Sequence, residues 1–79
     1  VEDRDSLRTM LRLALESQGY RALEARDQHE AEALLTRHQP AVVITDLRLP
    51  DGDGLGVLRA VKAVDAHIPA VVMTAYGGV

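Results

Sequence analysis

The feature that most limits the possible folds of this chain is a nearly unbroken apolar and β-branched run at residues 41–45, which ends in Asp46. Such a run is typical of a strand that helices cover on both faces, as in a parallel sheet. A loop with two glycines, residues 47–54, follows at once. Open α/β folds bind ligands outside the carboxyl ends of their strands, so this carboxylate marks a candidate site.

Helical and extended patterns alternate before this strand. The spacing of apolar residues predicts a first helix with Asp5 as its N-cap and Gly19 as its C-terminal stop. One face of this helix contains Leu7, Met10, Leu11, Ala14, Leu15 and Gln18, and the first three of these are expected in the core. Residues 20–25 predict a short second strand, and residues 27–30 have the capping-box spacing that starts a second helix, predicted to end near Pro40.

A third helix and a further strand follow the glycine-containing loop. The helix is indicated by Leu55, Leu58, Val61 and Val64. Pro69 separates it from an apolar run that ends at Thr74. With Val1 and Glu2 as the end of a first strand, the order β-α-β-α-β-α-β predicts an α/β fold with right-handed crossovers and a mainly parallel sheet.

Polar residues stand at the carboxyl ends of three predicted strands, which share one edge in a parallel sheet. Mg²⁺ prefers oxygen ligands and usually takes one or two carboxylates. Asp3 and Asp46 meet that need, Glu2 can reach the ion directly or through water, and the backbone carbonyl of Arg48 can add a neutral oxygen. The pattern therefore predicts magnesium-assisted phosphoryl transfer to a carboxylate.

In this hypothesis Asp46 attacks phosphorus in line and becomes an aspartyl phosphate. The hydroxyl of Thr74 and the backbone amides of Arg48 and Ala75 can donate to phosphoryl oxygens. Pro50 and Gly54 are interpreted as backbone devices of the loop, since proline fixes φ and glycine permits a close approach. Asp51 and Asp53 are interpreted as loop and helix-cap residues.

Composition narrows the class of protein. A chain of 79 residues makes at most one domain, and 47% hydrophobic with 27% charged residues is the composition of a soluble globular protein. A net charge of −3 without a run of Lys or Arg argues against nucleic-acid binding by this segment. No stretch has the roughly 18 apolar residues of a membrane span. The absence of cysteine excludes thiolate metal sites and fits a cytoplasmic location.

Three motifs in the right order resemble the receiver domain of bacterial two-component response regulators. They are Val1-Glu2-Asp3, the block from Asp46 to Gly54 (Asp-Leu-Arg-Leu-Pro-Asp-Gly-Asp-Gly), and Met73-Thr74-Ala75. The ending at residues 74–79 is similar to receivers of nitrogen-regulator-type transcriptional activators. The resemblance implies a flavodoxin-like doubly wound parallel sheet of strand order 2-1-3-4-5. Residues 1–79 would be a partial receiver domain, without most of strand 1 and all of helix 4, strand 5 and helix 5.

The resemblance also implies a function. Asp46 would accept a phosphoryl group from a sensor histidine kinase with the help of Mg²⁺, and Thr74 would pass the change to an output. The expected output is transcription regulation through a covalently linked effector domain outside this chain, and the resemblance allows a homodimer. Such a domain is a signalling switch that catalyses only its own phosphorylation and dephosphorylation, rather than a turnover enzyme.

Two alternatives stay open at this stage. A pseudo-receiver, which acts as a phosphorylation-independent interaction module, is favoured by Glu2, by Arg4 and by the lack of the family's strand-five lysine in these residues. A small aspartyl-phosphate hydrolase would use Asp46 or Asp51 as its nucleophile. If Arg4 folds inward, it is expected to compete with Mg²⁺ for Glu2 and Asp3.

Overall fold

The computed structural model describes residues 1–73, so Thr74 and Ala75 lie outside the described residues. Within this part, three helices and four short strands follow one another along the chain. They are α1 (Asp5–Ser17), α2 (Gln28–Arg37), β1 (Val43–Asp46), β2 (Arg48–Leu49), β3 (Gly52–Asp53), α3 (Gly54–Val64) and β4 (Ala70–Met73). None of the described helices is both long enough and apolar enough to cross a bilayer.

The second part of the apolar run forms β1, the strand on which the site is built. It begins at Val43, so the strand is two residues shorter at its start than the predicted residues 41–46. It pairs in parallel with β4, so that Val43 lies opposite Ala70 and Asp46 lies opposite Met73. A mainly parallel sheet was expected from the alternating pattern, and this pairing confirms it. The carboxyl ends of β1 and β4 therefore lie at the same edge.

The first two residues lie along the other side of β1. The Asp46 N–H donates to the Val1 carbonyl at 2.8 Å, and the Val1 nitrogen donates to the Ile44 carbonyl. On the side of residues 1–2 that faces away from β1, the Glu2 N–H donates to the Ala25 carbonyl at 2.9 Å. The lateral order is thus residues 20–25, residues 1–2, β1 and β4, which corresponds to the 2-1-3-4 part of the predicted sheet.

Residues 20–25 are not a regular strand, contrary to the prediction of a second strand. The Ala25 carbonyl does accept a backbone hydrogen bond from the neighbouring segment, but side chains also hold this stretch. The Glu24 carboxylate receives Arg8 Nε at 3.4 Å and Arg12 Nε at 3.1 Å, both from α1. Ion pairs between Glu24 and α1 therefore help to hold residues 20–25 in place, in addition to the backbone hydrogen bond at Ala25.

The two ends of α1 differ from one another in how well they were predicted. Arg4 occupies the N-cap position without a side-chain capping bond, and Asp5 is already helical, so the prediction of Asp5 as N-cap is wrong. Asp5 instead accepts from Arg8 at 2.6 Å, one turn later. The stop at Gly19 is confirmed, because Gly19 has φ +91°, which favours glycine, and its N–H donates to the Glu16 carbonyl at 3.0 Å.

Aspartates cap the other two helices. Asp27 accepts from the Glu30 N–H at 2.8 Å at the start of α2, and Asp53 accepts from the Gly56 N–H at 2.8 Å at the start of α3. The predicted capping box is present in altered form, since the Glu30 carboxylate receives the N–H of Arg26 at 2.8 Å rather than that of Asp27. Helix α2 ends at Arg37, three residues before Pro40.

The core lies between α2, α3 and the parallel strands. Its buried apolar residues are Ala25, Ala31, Leu35, Leu49, Val57, Val61 and Ile68. On α3 the buried positions are Gly54, Gly56, Val57 and Val61, whereas Leu55 and Val64, two of the residues that indicated this helix, are 47% and 45% exposed. Val61 is thus common to the predicted and the observed sets, and the buried face includes Val57 in place of Leu55 and Val64.

Helix α1 has no fully buried residue. Met10, which was predicted to face the core, is 64% exposed. The half-buried Leu11 and Leu15 line a cavity of about 570 Å³, whose lining also includes Ile44 of β1. Polar contacts tie this helix to the rest of the fold, because Arg8 and Arg12 pair with Glu24 and Arg8 also donates to the Glu2 carbonyl at 3.1 Å.

Candidate metal and phosphoryl-acceptor site

Three carboxylates converge at the carboxyl edge of the sheet. One oxygen from each of Glu2, Asp3 and Asp46 can be chosen so that all three lie within 4.8 Å of one another. Glu2 is 1% exposed and Asp46 is 5% exposed, whereas Asp3 faces solvent. The hydrogen bond from the Asp46 N–H to Val1 explains the approach, because it holds the acid pair beside the end of β1.

The Glu2 carboxylate has two very different oxygens. Oε2 receives the Arg4 backbone N–H at 2.9 Å and Arg4 Nε at 3.3 Å. Burial alone would raise the pKa of Glu2, but these hydrogen bonds and the Arg4 charge outweigh it and hold the pKa below its ordinary value. The side chain is therefore an ionised carboxylate inside the protein at neutral pH.

The other oxygen, Oε1 of Glu2, is buried and has no hydrogen-bond partner among the described residues. A buried polar atom without a partner is costly, and most such atoms in folded proteins are satisfied. Here the orphaned atom belongs to a carboxylate in a cluster of three. A hard cation that prefers oxygen ligands fits this set of donors well.

The backbone around Asp46 is held on several sides. The buried Thr45 hydroxyl donates to the Asp46 carbonyl at 3.0 Å. The next residue, Leu47, donates its N–H to the Met73 carbonyl at 2.9 Å and accepts from the Gly54 N–H at 2.7 Å. The acidic side chain consequently projects from a hydrogen-bonded segment between β1 and the loop that follows.

That loop contains a small hairpin that the sequence pattern did not predict. Arg48 pairs with Asp53 and Leu49 with Gly52 in antiparallel fashion, with Pro50 at the turn. Arg48 thus stands two residues from Asp46 at the start of this hairpin. Its carbonyl as a metal ligand and its amide as a phosphate donor remain predictions, as do Thr74 and the Ala75 amide, which lie outside residues 1–73.

Asp51 ties the hairpin to a distant helix. Its Oδ1 accepts from the Gln28 N–H at 2.8 Å and its Oδ2 accepts from the His29 N–H at 2.9 Å, so it caps the first turn of α2 across 22 and 23 residues of sequence. Sequence reasoning identified Asp51 as a loop or cap residue but did not find its partner. Local spacing carries no signal for a cap supplied from another part of the chain.

We expect Asp51→Asn to lower the free energy of unfolding at neutral pH. The hydrogen bond from the Gln28 N–H, followed by that from the His29 N–H, holds the pKa of Asp51 below its ordinary value. Ionised Asp51 therefore stabilises the fold at every pH above the pKa of aspartate in the unfolded chain, which is about 3.9. This contribution is lost as the pH falls through the lowered folded-state pKa. Urea unfolding of both chains from pH 7 down to pH 3 measures it. A stability difference that stayed constant or grew in acid would contradict this role.

Comparison with known proteins agrees with this geometry. The sequence model of the response regulator receiver domain matches residues 1–79. The virulence transcriptional regulatory protein PhoP of Salmonella typhimurium is 40% identical over 78 residues, which are 99% of this chain and 35% of that protein. Sporulation initiation phosphotransferase F of Bacillus subtilis is 31% identical over 77 residues, which are 98% of this chain and 62% of that protein.

One solved structure matches the fold closely. It is the crystal structure of the N-terminal domain of an uncharacterized protein from Wolinella succinogenes, with a TM-score of 0.84 and 33% identity over 96% of this chain and 61% of that one. With the strand order described above, this match confirms the flavodoxin-like fold predicted from the sequence. The chain spans less than two thirds of each of these three relatives.

Proposed function

Because this chain belongs to the response regulator receiver domain family, we propose that it is a phosphorylatable switch in which Asp46 accepts a phosphoryl group from a sensor histidine kinase. Receiver domains are signalling switches of two-component systems. The observation that carries the proposal is the convergence of buried Asp46 with Glu2 and Asp3 at the carboxyl edge of the sheet. Two buried carboxylates with a third beside them are costly unless something offsets their charge.

Mg²⁺ is the cofactor that these residues fit. Asp3, Asp46, Glu2 and the Arg48 carbonyl would hold it, and the unpartnered Oε1 of Glu2 is the observation that supports a cation here. When bound, the ion supplies positive charge that offsets repulsion between the carboxylates and an incoming phosphoryl group.

The chemical step that we propose needs little from the protein beyond position. An Asp46 carboxylate oxygen forms a bond to phosphorus while the P–N bond of the phosphohistidine breaks and its electron pair stays on the imidazole nitrogen. The Thr74 hydroxyl and the amides of Arg48 and Ala75 donate to the phosphoryl oxygens. Attack by water on the acyl phosphate later restores the Asp46 carboxylate and releases phosphate.

The proposed partners follow from the same function. Residues 1–79 act as a partial receiver domain, joined to an effector domain that regulates transcription and meeting its kinase in the cytoplasm. The name of the Salmonella relative supports a transcriptional output, and the name of the Bacillus relative supports phosphoryl transfer. Pairing of two copies is compatible with this proposal, and the segment itself binds no nucleic acid.

The experiment that tests the proposal is intact mass spectrometry of the full-length chain after incubation with acetyl phosphate and Mg²⁺. We expect a gain of one phosphoryl group, and removal of Mg²⁺ by EDTA should slow that gain by roughly 100-fold or more, because the ion contributes several kcal/mol to such transfers. A folded chain that gained no phosphoryl group with Mg²⁺ present would contradict the proposal and favour a phosphorylation-independent receiver.

A further inference from the structure

A positive side chain lies directly against the acidic cluster. Arg4 donates both its backbone N–H and its Nε to the same oxygen of Glu2, at 2.9 Å and 3.3 Å. The Arg4 side chain is 57% exposed while that of Glu2 is 1% exposed. The guanidinium charge therefore covers a buried carboxylate from its solvent side.

The other two carboxylates also act on this arginine. The hydrogen bond and charge of Glu2 raise the pKa of Arg4 most, and the charges of Asp46 and Asp3 raise it further. Arg4 thus lies in the combined field of the same three groups that would hold a divalent ion. Among those groups, one oxygen of Glu2 is occupied by Arg4 and the other is unpartnered.

We propose that Arg4 is a built-in competitor of the divalent cation at the Glu2, Asp3 and Asp46 cluster. The inference rests on the metal site of the proposed function and concerns its regulation. In the metal-free chain, Arg4 neutralises part of the cluster's charge and so stabilises it. A divalent ion must bind beside this fixed positive charge or displace it, and both routes weaken its affinity.

The test is calorimetric titration of the full-length chain with Mg²⁺, comparing the wild type with Arg4→Gln. We expect Arg4→Gln to bind Mg²⁺ roughly 3- to 10-fold more tightly, as suits the loss of one partly exposed opposing charge. Arg26→Gln is the matched control, because Arg26 is 62% exposed and pairs with Glu30 at 3.9 Å, outside the cluster. Its affinity for Mg²⁺ should equal that of the wild type.

Thermal unfolding supplies a second measurement, in which Arg4→Gln lowers the melting temperature without Mg²⁺ but increases the stabilisation that Mg²⁺ provides. Without Mg²⁺, Arg4→Gln should melt below the wild type, because buried Glu2 loses its charged side-chain partner and keeps only the backbone N–H of residue 4. With saturating Mg²⁺, its melting temperature should rise by more than that of the wild type. Arg4→Lys keeps the charge without the Nε hydrogen bond, so it should bind Mg²⁺ with intermediate affinity, and it serves if Arg4→Gln does not fold.

The outcomes separate this inference from the proposed function. If the wild type binds Mg²⁺ and Arg4→Gln binds it with equal or weaker affinity, the inference is wrong and the metal site is still supported. Failure of both chains to bind Mg²⁺ would overturn the metal site and the inference with it. Tighter binding in Arg4→Gln alone, with Arg26→Gln unchanged, supports both.

Discussion

The Asp46→Asn chain is expected to gain no phosphoryl group from acetyl phosphate and Mg²⁺, a fall in rate of at least about 1,000-fold. A carboxamide is nearly the same size as a carboxylate but is a far weaker nucleophile, and it also removes one anionic oxygen from the cluster. The hydrogen bonds that hold this residue in place are made by its backbone, so the fold should survive the change. Intact mass measured over time, with peptide mapping of the wild type, checks both rate and position.

Asp53→Asn is the matched control for this substitution. Asp53 lies on the same loop and caps α3 through the Gly56 N–H at 2.8 Å, a role that asparagine fills almost equally well. This chain should gain its phosphoryl group at nearly the wild-type rate. Phosphorylation that persisted in Asp46→Asn and mapped to Asp51 would instead favour the hydrolase hypothesis.

Gly54→Ala should produce the largest loss of stability among the substitutions considered. A Cβ at this position would lie 2.5 Å from the Asp46 carbonyl oxygen and 3.1 Å from Leu47 Cα, which are backbone atoms that cannot rotate away. We expect the free energy of unfolding to fall by about 2–3 kcal/mol, as in overpacked cores. Because the collision is with Asp46 itself, phosphorylation should slow as well. Urea unfolding and the mass assay measure the two effects.

Gly56→Ala, two residues further along α3, is a control that separates crowding from helix propensity. A Cβ there would meet the end of the Gln28 side chain, with the nearest atom at 2.6 Å, and a flexible glutamine can turn aside. Alanine also favours the helix by up to about 1 kcal/mol over glycine. The stability should therefore change by less than about 1 kcal/mol. Equal losses in both chains would mean that the contact with Asp46 is not the cause.

The elements that sequence patterns predicted well are those whose determinants are local. The run before Asp46 reads as a buried strand because both of its faces are apolar. Asp27 starts α2 through a capping bond that spans three residues, and Gly19 ends α1 through its own positive φ. Such features depend on neighbours in sequence, so tertiary packing had little to add.

The mistakes come from residues whose state depends on packing. Met10 and Leu11 are adjacent apolar residues on α1, and only the position of the sheet decides that Leu11 is half-buried while Met10 is 64% exposed. Residues 20–25 were predicted to form a strand, yet whether they form a regular one depends on the neighbour with which they pair. Composition carries no information about that neighbour.

The candidate site also has features that the sequence predicts and features that depend on packing. The approach of Glu2, Asp3 and Asp46 follows from parallel strands that end at one edge, so topology alone predicts it. The hydrogen bond from Arg4 Nε to one oxygen of Glu2 depends on side-chain conformation. The sequence therefore predicted only what would follow if Arg4 folded inward. Thr74 and Ala75 lie beyond the described residues and stay predictions.

The cap that Asp51 supplies to α2 has a consequence for the order in which the chain folds. The first-turn N–H groups of Gln28 and His29 find these acceptors on a residue more than twenty positions later in the chain. An isolated α2 lacks both acceptors, and closing so long a loop has an entropic cost that slows folding. The hydrogen bonds of the first turn of α2 are therefore completed only when the hairpin that carries Asp51 docks. Helix α2 and this hairpin consequently fold as one cooperative unit.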